Sequence, residues 1–227
     1  MAFFKTLSQK PWQLSNEMLV LSNNEDSANV HKSVNTAINF LLGVITVIFL
    51  LFTITLIQRS QAFDFQALSG EPWLPLNDLS LLWQNTLYLV LASLSLILVQ
   101  NYAKALKRWQ LLLLLLFCAG CSALFVFGQI SVWQHLHQSG FQIYSNPANS
   151  YFYMLTGVHA LHIFGGLIAL SRVLMQVSTG KLAEELSLSI RMCARYWHYL
   201  FLLWLYLFFL LTRNTESFKT IAQLCGF

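Results

Sequence analysis

Acidic residues are absent from every long apolar stretch of this sequence, and charged residues of either sign are scarce. Only 10% of the 227 residues are charged, whereas about 25% is typical of a soluble domain. A buried charge costs about 2.5 to 3.5 kcal/mol on membrane-insertion scales. The scarcity therefore indicates lipid as the solvent. All nine acidic residues fall in loops or terminal segments: Glu17, Glu25, Asp26, Asp64, Glu71, Asp78, Glu184, Glu185 and Glu216.

Five apolar stretches are long enough to cross a bilayer, which takes about 20 helical residues. They lie near residues 34–57, 79–100, 110–133, 150–173 and 195–213. The sequence thus predicts an all-α fold, a polytopic transmembrane helix bundle with five spans. We expect a cytoplasmic N-terminal segment over residues 1–33, a transmembrane domain over 34–213 and a C-terminal tail over 214–227.

The basic residues predict the orientation, because cytoplasmic loops are enriched in Lys and Arg. If the N-terminus is inside and the C-terminus outside, ten basic residues lie on the inner side and three on the outer. The inner ten are Lys5, Lys10, Lys32, Lys104, Lys107, Arg108, Arg172, Lys181, Arg191 and Arg195, and the outer three are Arg59, Arg213 and Lys219. We therefore predict N-in, C-out, and the loop of residues 58–78 as an extended outer connection. The net charge of +4 reports topology rather than a nucleic-acid partner.

The sequence has only four cysteines, and we expect no cleavable signal peptide. Three of the four cysteines, Cys118, Cys121 and Cys193, lie within or at the edge of apolar segments, and the fourth is Cys225, so no disulfide framework is expected. The Cys-x-x-Cys of Cys118 and Cys121 is interpreted as small-residue packing rather than a metal or redox site. Residues 1–33 contain no short apolar core followed by a small-residue cleavage site, so we expect the first span to act as a signal anchor.

Histidines are the polar residues that could carry chemistry inside the spans. His159 and His162 lie about 60° apart around one helix, so the pair could ligate a metal. One helix supplies two ligands, however, and a metal site needs more from facing helices. The other intramembrane histidine, His198, is expected near the inner surface, away from His159. Helix packing or lipid contact is therefore favoured over metal or haem ligation.

Proton and solute transport are both disfavoured. A proton relay normally uses a carboxylate, and the spans contain none. A transporter of small solutes typically has paired spans interrupted by Gly or Pro at the midplane, and that pattern is missing here.

Two helices of the sequence resemble a known family. The fourth span carries Thr156-Gly157-Val158-His159-Ala160-Leu161-His162 followed by Gly166, and the fifth carries Tyr196-Trp197-His198 with Trp204. These two motifs resemble the signature helices of subunit III of haem-copper cytochrome oxidases. The order of elements is similar to that family from about residue 72 to 213, with weaker agreement at Asn85-Thr86, Lys104 to Arg108 and Gln129.

The resemblance implies a non-catalytic component of a respiratory oxidase in the bacterial inner membrane. Its partners would be the catalytic subunit I and other oxidase subunits, with haem and copper held by subunit I and none in this chain. It also implies bound phospholipid and, for the family, links to oxygen access and sustained proton uptake. Longer members have seven helices and this chain lacks the first two. The related accessory protein of nitric oxide reductases is an alternative, as is a histidine-ligated haem or metal protein.

Site residues follow as expectations. No catalytic, cofactor-binding or metal-binding residue is expected. Phospholipid contacts are expected at His159, His162, Arg172, Arg195, Trp197 and His198, and close helix packing at Gly157, Gly165 and Gly166. The carboxylates that the family carries in its membrane helices are missing, because residues 34–57 contain no acid and the other two positions are Val132 and Phe201.

Overall fold

The computed structural model describes residues 16–62, 64–65, 67–68, 80–102, 107–180, 183–213 and 215–224. All regular secondary structure in these residues is helical, which confirms the all-α prediction. The helices are α1 Asn16–Arg59, α2 Ser80–Tyr102, α3 Arg108–Gln138, α4 Pro147–Thr179, α5 Ala183–Leu211 and α6 Thr215–Leu224. Most of the predicted 58–78 loop, Lys104, Lys181 and Cys225 lie outside the described residues.

Five of these helices are long and apolar enough to span a membrane, as the sequence predicts. The spans are Lys32–Arg59, Ser80–Tyr102, Arg108–Gln138, Pro147–Thr179 and Leu186–Leu211. The chain also divides into two compact units between Leu41 and Leu42, and the contacts described below all lie in the second unit.

Four of the spans form a closed ring. Helix α2 packs against α3 and α5, and α4 completes the ring by packing against the same two helices. Neighbours in the ring run in opposite directions. Consecutive helices cross the membrane in alternating directions, and two helices lie between α2 and α5 in the chain, so α2 and α5 are antiparallel as well. The buried interior is mostly Leu, Phe and Ala, with a small number of polar side chains.

Helix α1 attaches to this ring through side chains. Its buried side chains include Ile45, Phe49 and Leu56. The hydroxyls of Thr46 and Tyr199 lie 2.8 Å apart, and Tyr206 donates to Thr53 at 2.8 Å. Each threonine donates its own hydroxyl hydrogen to the carbonyl four residues earlier, at 2.8 Å, so Tyr199 must donate to Thr46 as well.

These two pairs are seven residues apart on both helices, which means that α1 and α5 run parallel. We refer to Thr46–Tyr199 and Thr53–Tyr206 as the Tyr–Thr ladder. Between its two pairs, the ring of Phe49 lies 5.9 Å from that of His162 on α4. Long aromatic side chains therefore fill the space between α1 and its neighbours.

The ends of α4 are fixed by specific hydrogen bonds. At its start, the Asn146 side chain accepts from the backbone N–H of Ala148 at 3.1 Å, an N-cap bond. At its end, Gly180 adopts φ 71°, the left-handed conformation that terminates helices. Arg108 at the start of α3 donates from Nε to the carbonyl of Val177 at 2.7 Å. The Gly180 N–H also donates to this carbonyl, at 3.4 Å, and a cation at a helix C-terminus interacts favourably with the helix dipole.

The short helix α6 lies within the predicted C-terminal tail and is amphipathic. Phe218 and Ala222 are buried, whereas Lys219 is exposed. The ring of Phe218 meets that of Phe65, which follows α1, edge-on at 5.7 Å. Helix α6 therefore packs on the end of the bundle where α1 and α5 finish.

An ion pair lies at the same end. Arg59 donates to both carboxylate oxygens of Asp64, at 2.7 and 2.6 Å. These hydrogen bonds hold the pKa of Asp64 below its usual value. Both side chains are well exposed, so the pair is an interfacial feature and not part of the buried interior.

Candidate functional site

A layer of polar side chains crosses the interior of the helix ring. Asn85 and Thr86 come from α2, Gln129 from α3, His159 from α4 and Trp204 from α5, and all five are buried. We call these five residues the polar layer. Each belongs to a motif that carried the resemblance described above, and the fold brings one set from each of the four ring helices to the same level.

Asn85 and Gln129 connect α2 to α3. The Asn85 amide nitrogen donates to Gln129 Oε1 at 3.4 Å. Asn85 reaches this position because Gly128 has no side chain, since a Cβ on Gly128 would overlap the Asn85 Oδ1 atom. The close contact between α2 and α3 thus depends on a glycine beside the glutamine.

Trp204 and His159 connect α5 to α4. Trp204 donates from its indole nitrogen to Thr86 Oγ1 at 3.0 Å, and Thr86 donates to the carbonyl of Leu82 at 2.8 Å. The His159 ring lies nearly parallel to that of Trp204, with centroids 5.5 Å apart. Phe125 meets both rings edge-on, at 4.8 Å from Trp204 and 5.9 Å from His159. Such offset and edge-on aromatic contacts are favourable beyond simple burial.

His159 is 0% exposed, and neither of its ring nitrogens has a hydrogen-bond partner among the described residues. The amide nitrogen of Gln129 is likewise buried without a partner. An unsatisfied buried polar atom costs about 1 to 3 kcal/mol, so the unpartnered atoms of His159 and Gln129 are energetically costly.

The other two intramembrane histidines lie in different surroundings. His162 is half-buried, and its Nδ1 lies 2.7 Å from the carbonyl of Val158. Tyr196 of α5 donates to the His162 carbonyl at 3.1 Å. His198 lies 2.8 Å from the hydroxyl of Ser93 on α2, through Nδ1. The three histidines therefore serve three separate helix contacts.

The described donor set does not gather three side-chain ligands around one metal ion. Within the part of the chain that the structure describes, no three His, Cys, Asp or Glu side chains are placed to share one ion. The His159 ring packs against the rings of Phe125 and Trp204. No chemical step of this chain is therefore assigned to such a group.

The three glycines expected to pack helices fall into two groups. A Cβ on Gly166 would lie 3.1 Å from Tyr196 and 3.3 Å from Trp197, so α4 and α5 touch closely there. Gly157 and Gly165 have no atom of the described chain within 4 Å of the position of a Cβ. They face away from the close contact that Gly166 makes.

The remaining lipid-contact candidates lie at one end of α4 and α5. Arg172 and Arg195 are exposed, whereas Trp197 is 2% exposed and packs on Gly166. The arginines are thus accessible to a head group, and Trp197 is part of the helix contact.

Some important residues escaped the sequence analysis. Gly128 carried no signal beyond being a small residue next to Gln129. The Tyr–Thr ladder did leave a trace, because threonines at 46 and 53 and tyrosines at 199 and 206 share a seven-residue spacing. Recognising it would have required pairing the first span with the fifth.

Comparison with known proteins gives this architecture a family. The family model described as cytochrome c oxidase subunit III matches residues 25–213. The chain belongs to the cytochrome c oxidase subunit III family. Members of this family are components of haem-copper oxidases, and the five spans make this one a multi-pass protein of the bacterial plasma membrane.

Curated bacterial relatives carry the same designation. A probable cytochrome c oxidase subunit 3 of Mycobacterium leprae is 31% identical over 153 residues, 64% of this chain and 73% of that protein. One from Nocardia farcinica is 35% identical over 103 residues, which span 45% of this chain and about half, 48%, of that protein. Subunit 3 of a cytochrome bo(3) ubiquinol oxidase from Buchnera aphidicola is 28% identical over 58% of this chain and 69% of that protein. These names favour an oxidase over a nitric oxide reductase.

Proposed function

We propose that this chain is a non-catalytic subunit of a haem-copper terminal oxidase, which supports the catalytic subunit through helix packing and bound lipid. The observation that supports the proposal is that the family-motif residues contact one another within this chain. Asn85, Thr86, Gln129, His159 and Trp204 connect the chain's own four ring helices to one another. Redox chemistry therefore belongs to the partner, and this subunit supplies a stable surface beside it.

The glycines of α4 indicate where that surface lies. Gly157 and Gly165 weaken a helix by about 1 kcal/mol each relative to alanine, yet nothing in the described chain uses the space they leave. Small residues in a membrane helix allow another helix to approach closely. We propose that a transmembrane helix of the catalytic subunit packs on this face of α4, beside the exposed Leu161.

We propose that phospholipid binds to α4 and α5 in addition to the partner helix. Arg172 is exposed near the C-terminal end of α4, and Arg195 is exposed in the first half of α5. The half-buried His162 lies nearer the middle of α4. Exposed arginines at a membrane surface attract anionic head groups. An acyl chain from a lipid held there would run along the apolar outer faces of the same helices.

Co-purification tests the proposal. The wild-type chain, tagged and extracted gently from its native membrane, should bring with it a subunit that shows the Soret absorbance of haem. The isolated chain should show neither that absorbance nor stoichiometric metal. A wild-type chain that purifies alone, or that holds haem by itself, would exclude the proposed role.

Glycine variants locate the interface. Gly165→Leu and Gly157→Leu should reduce co-purification of the haem-containing subunit several-fold, because the added side chain fills the space for a partner helix. Gly120→Leu on α3 is the matched control, since Gly120 is exposed like Gly165 and, like both test glycines, has open space around its Cβ position. Equal retention of the partner by all three variants would show that α4 does not form the interface.

A further inference from the structure

Only some of the polar atoms in the polar layer have hydrogen-bond partners in the described chain. On the side of α2 and α5, Asn85, Thr86 and Trp204 all take part in hydrogen bonds. On the side of α3 and α4, three buried polar atoms have no partner in the described chain, namely Gln129 Nε2 and both ring nitrogens of His159. Lipid tails offer no hydrogen bonds to such groups.

The helix contacts place these atoms at the same level. Trp133 on α3 donates to Thr156 on α4 at 3.1 Å, and Phe125 on α3 meets His159 on α4 at 5.9 Å. Gln129 lies midway between Trp133 and Phe125, and residues four apart share one helix face. Its side chain therefore enters the α3–α4 contact between Thr156 and His159.

The chemistry of the two side chains specifies what fits between them. Gln129 presents an N–H that needs an acceptor. A neutral imidazole presents one N–H and one acceptor nitrogen. A charged imidazole is disfavoured by burial, and the spans contain no carboxylate to compensate it. The ligand must therefore be small and neutral, and must both donate and accept hydrogen bonds.

We propose that Gln129 and His159 hold one buried water molecule between α3 and α4. The water accepts from Gln129 Nε2 and donates to the unprotonated nitrogen of His159. The nitrogen and oxygen of both side-chain amides can be interchanged without losing the bond between Asn85 and Gln129. Gln129 Nε2 then donates to Asn85 Oδ1, and the water donates to Gln129 Oε1 instead of accepting from Nε2. With the amides oriented as in the structure, Gln129 presents an N–H to this space, and an N–H is not a metal ligand. The water pairs Gln129 Nε2 with one ring nitrogen of His159, and it joins α3 to α4 beside the Trp133–Thr156 hydrogen bond. The second His159 nitrogen keeps no partner in the described chain.

A high-resolution structure of the full chain, with its co-purifying subunits, tests the proposal directly. We expect density for one water within roughly 2.7 to 3.2 Å of both the Gln129 amide and a His159 ring nitrogen. It should be absent from His159→Phe, in which the ring contacts with Phe125 and Trp204 are kept. A direct hydrogen bond between Gln129 and His159, or a dry contact in the wild type, would refute it.

A variant cycle gives an independent test in lipid nanodiscs or mild detergent. Gln129→Leu and His159→Phe should be coupled in the equilibrium constant for unfolding, within the roughly 2- to 150-fold range found for interacting neighbours. Gln129→Leu combined with Tyr206→Phe is the control, because Tyr206 bonds to Thr53 on α1, and these effects should multiply without coupling. A Gln129–His159 pair that behaves like the control would also refute the proposal.

Discussion

Gly128 is the position where a single methyl group should disturb the bundle most clearly. A Cβ there would overlap the Asn85 side chain, which is buried and hydrogen-bonded to Gln129. We expect Gly128→Ala to destabilise the chain by about 1 to 3 kcal/mol, the usual range for overpacking. The measurement is the free energy of unfolding in detergent.

Gly120→Ala provides the comparison on the same helix. Gly120 has open space around its Cβ position, so alanine should leave stability unchanged or raise it by up to about 1 kcal/mol through helix propensity. If Gly128→Ala proved as stable as Gly120→Ala, Asn85 would have to be free to move away from α3.

Residue identities in the polar layer could be predicted from sequence, but their pairings could not. His159, Gln129 and Trp204 were recognised as motif residues, whereas the contact of Trp204 with Thr86 depends on how α5 is rotated against α2. Gly165 and Gly166 show the same limit. Adjacent residues differ by about 100° around a helix, so one faces Tyr196 and the other faces open space.

Helix α1 makes two interhelical hydroxyl contacts with α5. The Tyr–Thr ladder joins it to α5, and interhelical hydrogen bonds in membranes contribute about 0.6 kcal/mol on average. We expect Thr46→Val and Thr53→Val each to lower stability by about this amount and to loosen α1. Unfolding free energy and limited proteolysis of the segment that follows α1 would report the two effects.

Thr55→Val is the matched control for the ladder. Thr55 is exposed and donates to the carbonyl of Phe52 at 2.9 Å, as the ladder threonines do within their own helix, but it meets no tyrosine in the described contacts. Equal effects at Thr46, Thr53 and Thr55 would assign the loss to the intrahelical bond and leave the ladder without a role.

Helix existence was predictable and helix length was not. Hydropathy marks the part of a helix that lipid covers, whereas backbone hydrogen bonding continues beyond it. Helix α5 therefore begins at Ala183, well before the predicted span at residue 195, with Arg191 and Arg195 exposed on its early turns. Helix α6 has too little apolar length to register as a span, and only its amphipathic pattern marks it.

For the whole molecule, the orientation in the membrane stays a prediction. The excess of Lys and Arg on one side favours the N-terminus in the cytoplasm and, with five spans, the C-terminus outside. A green fluorescent reporter should therefore fluoresce at the N-terminus, and alkaline phosphatase should be active when fused after Phe227. The reverse pattern would contradict the orientation and would move Arg172 and Arg195 to the outer surface.

The hydrogen bonds of the polar layer have a consequence for changes in the first span. Those described here join residues of α2, α3 and α5, and none of them involves α1. The first span meets these helices through the Tyr–Thr ladder, the Phe49–His162 contact and buried apolar side chains that include Ile45 and Leu56. We therefore expect substitutions in the ladder to loosen α1 while the hydrogen bonds of the polar layer stay in place.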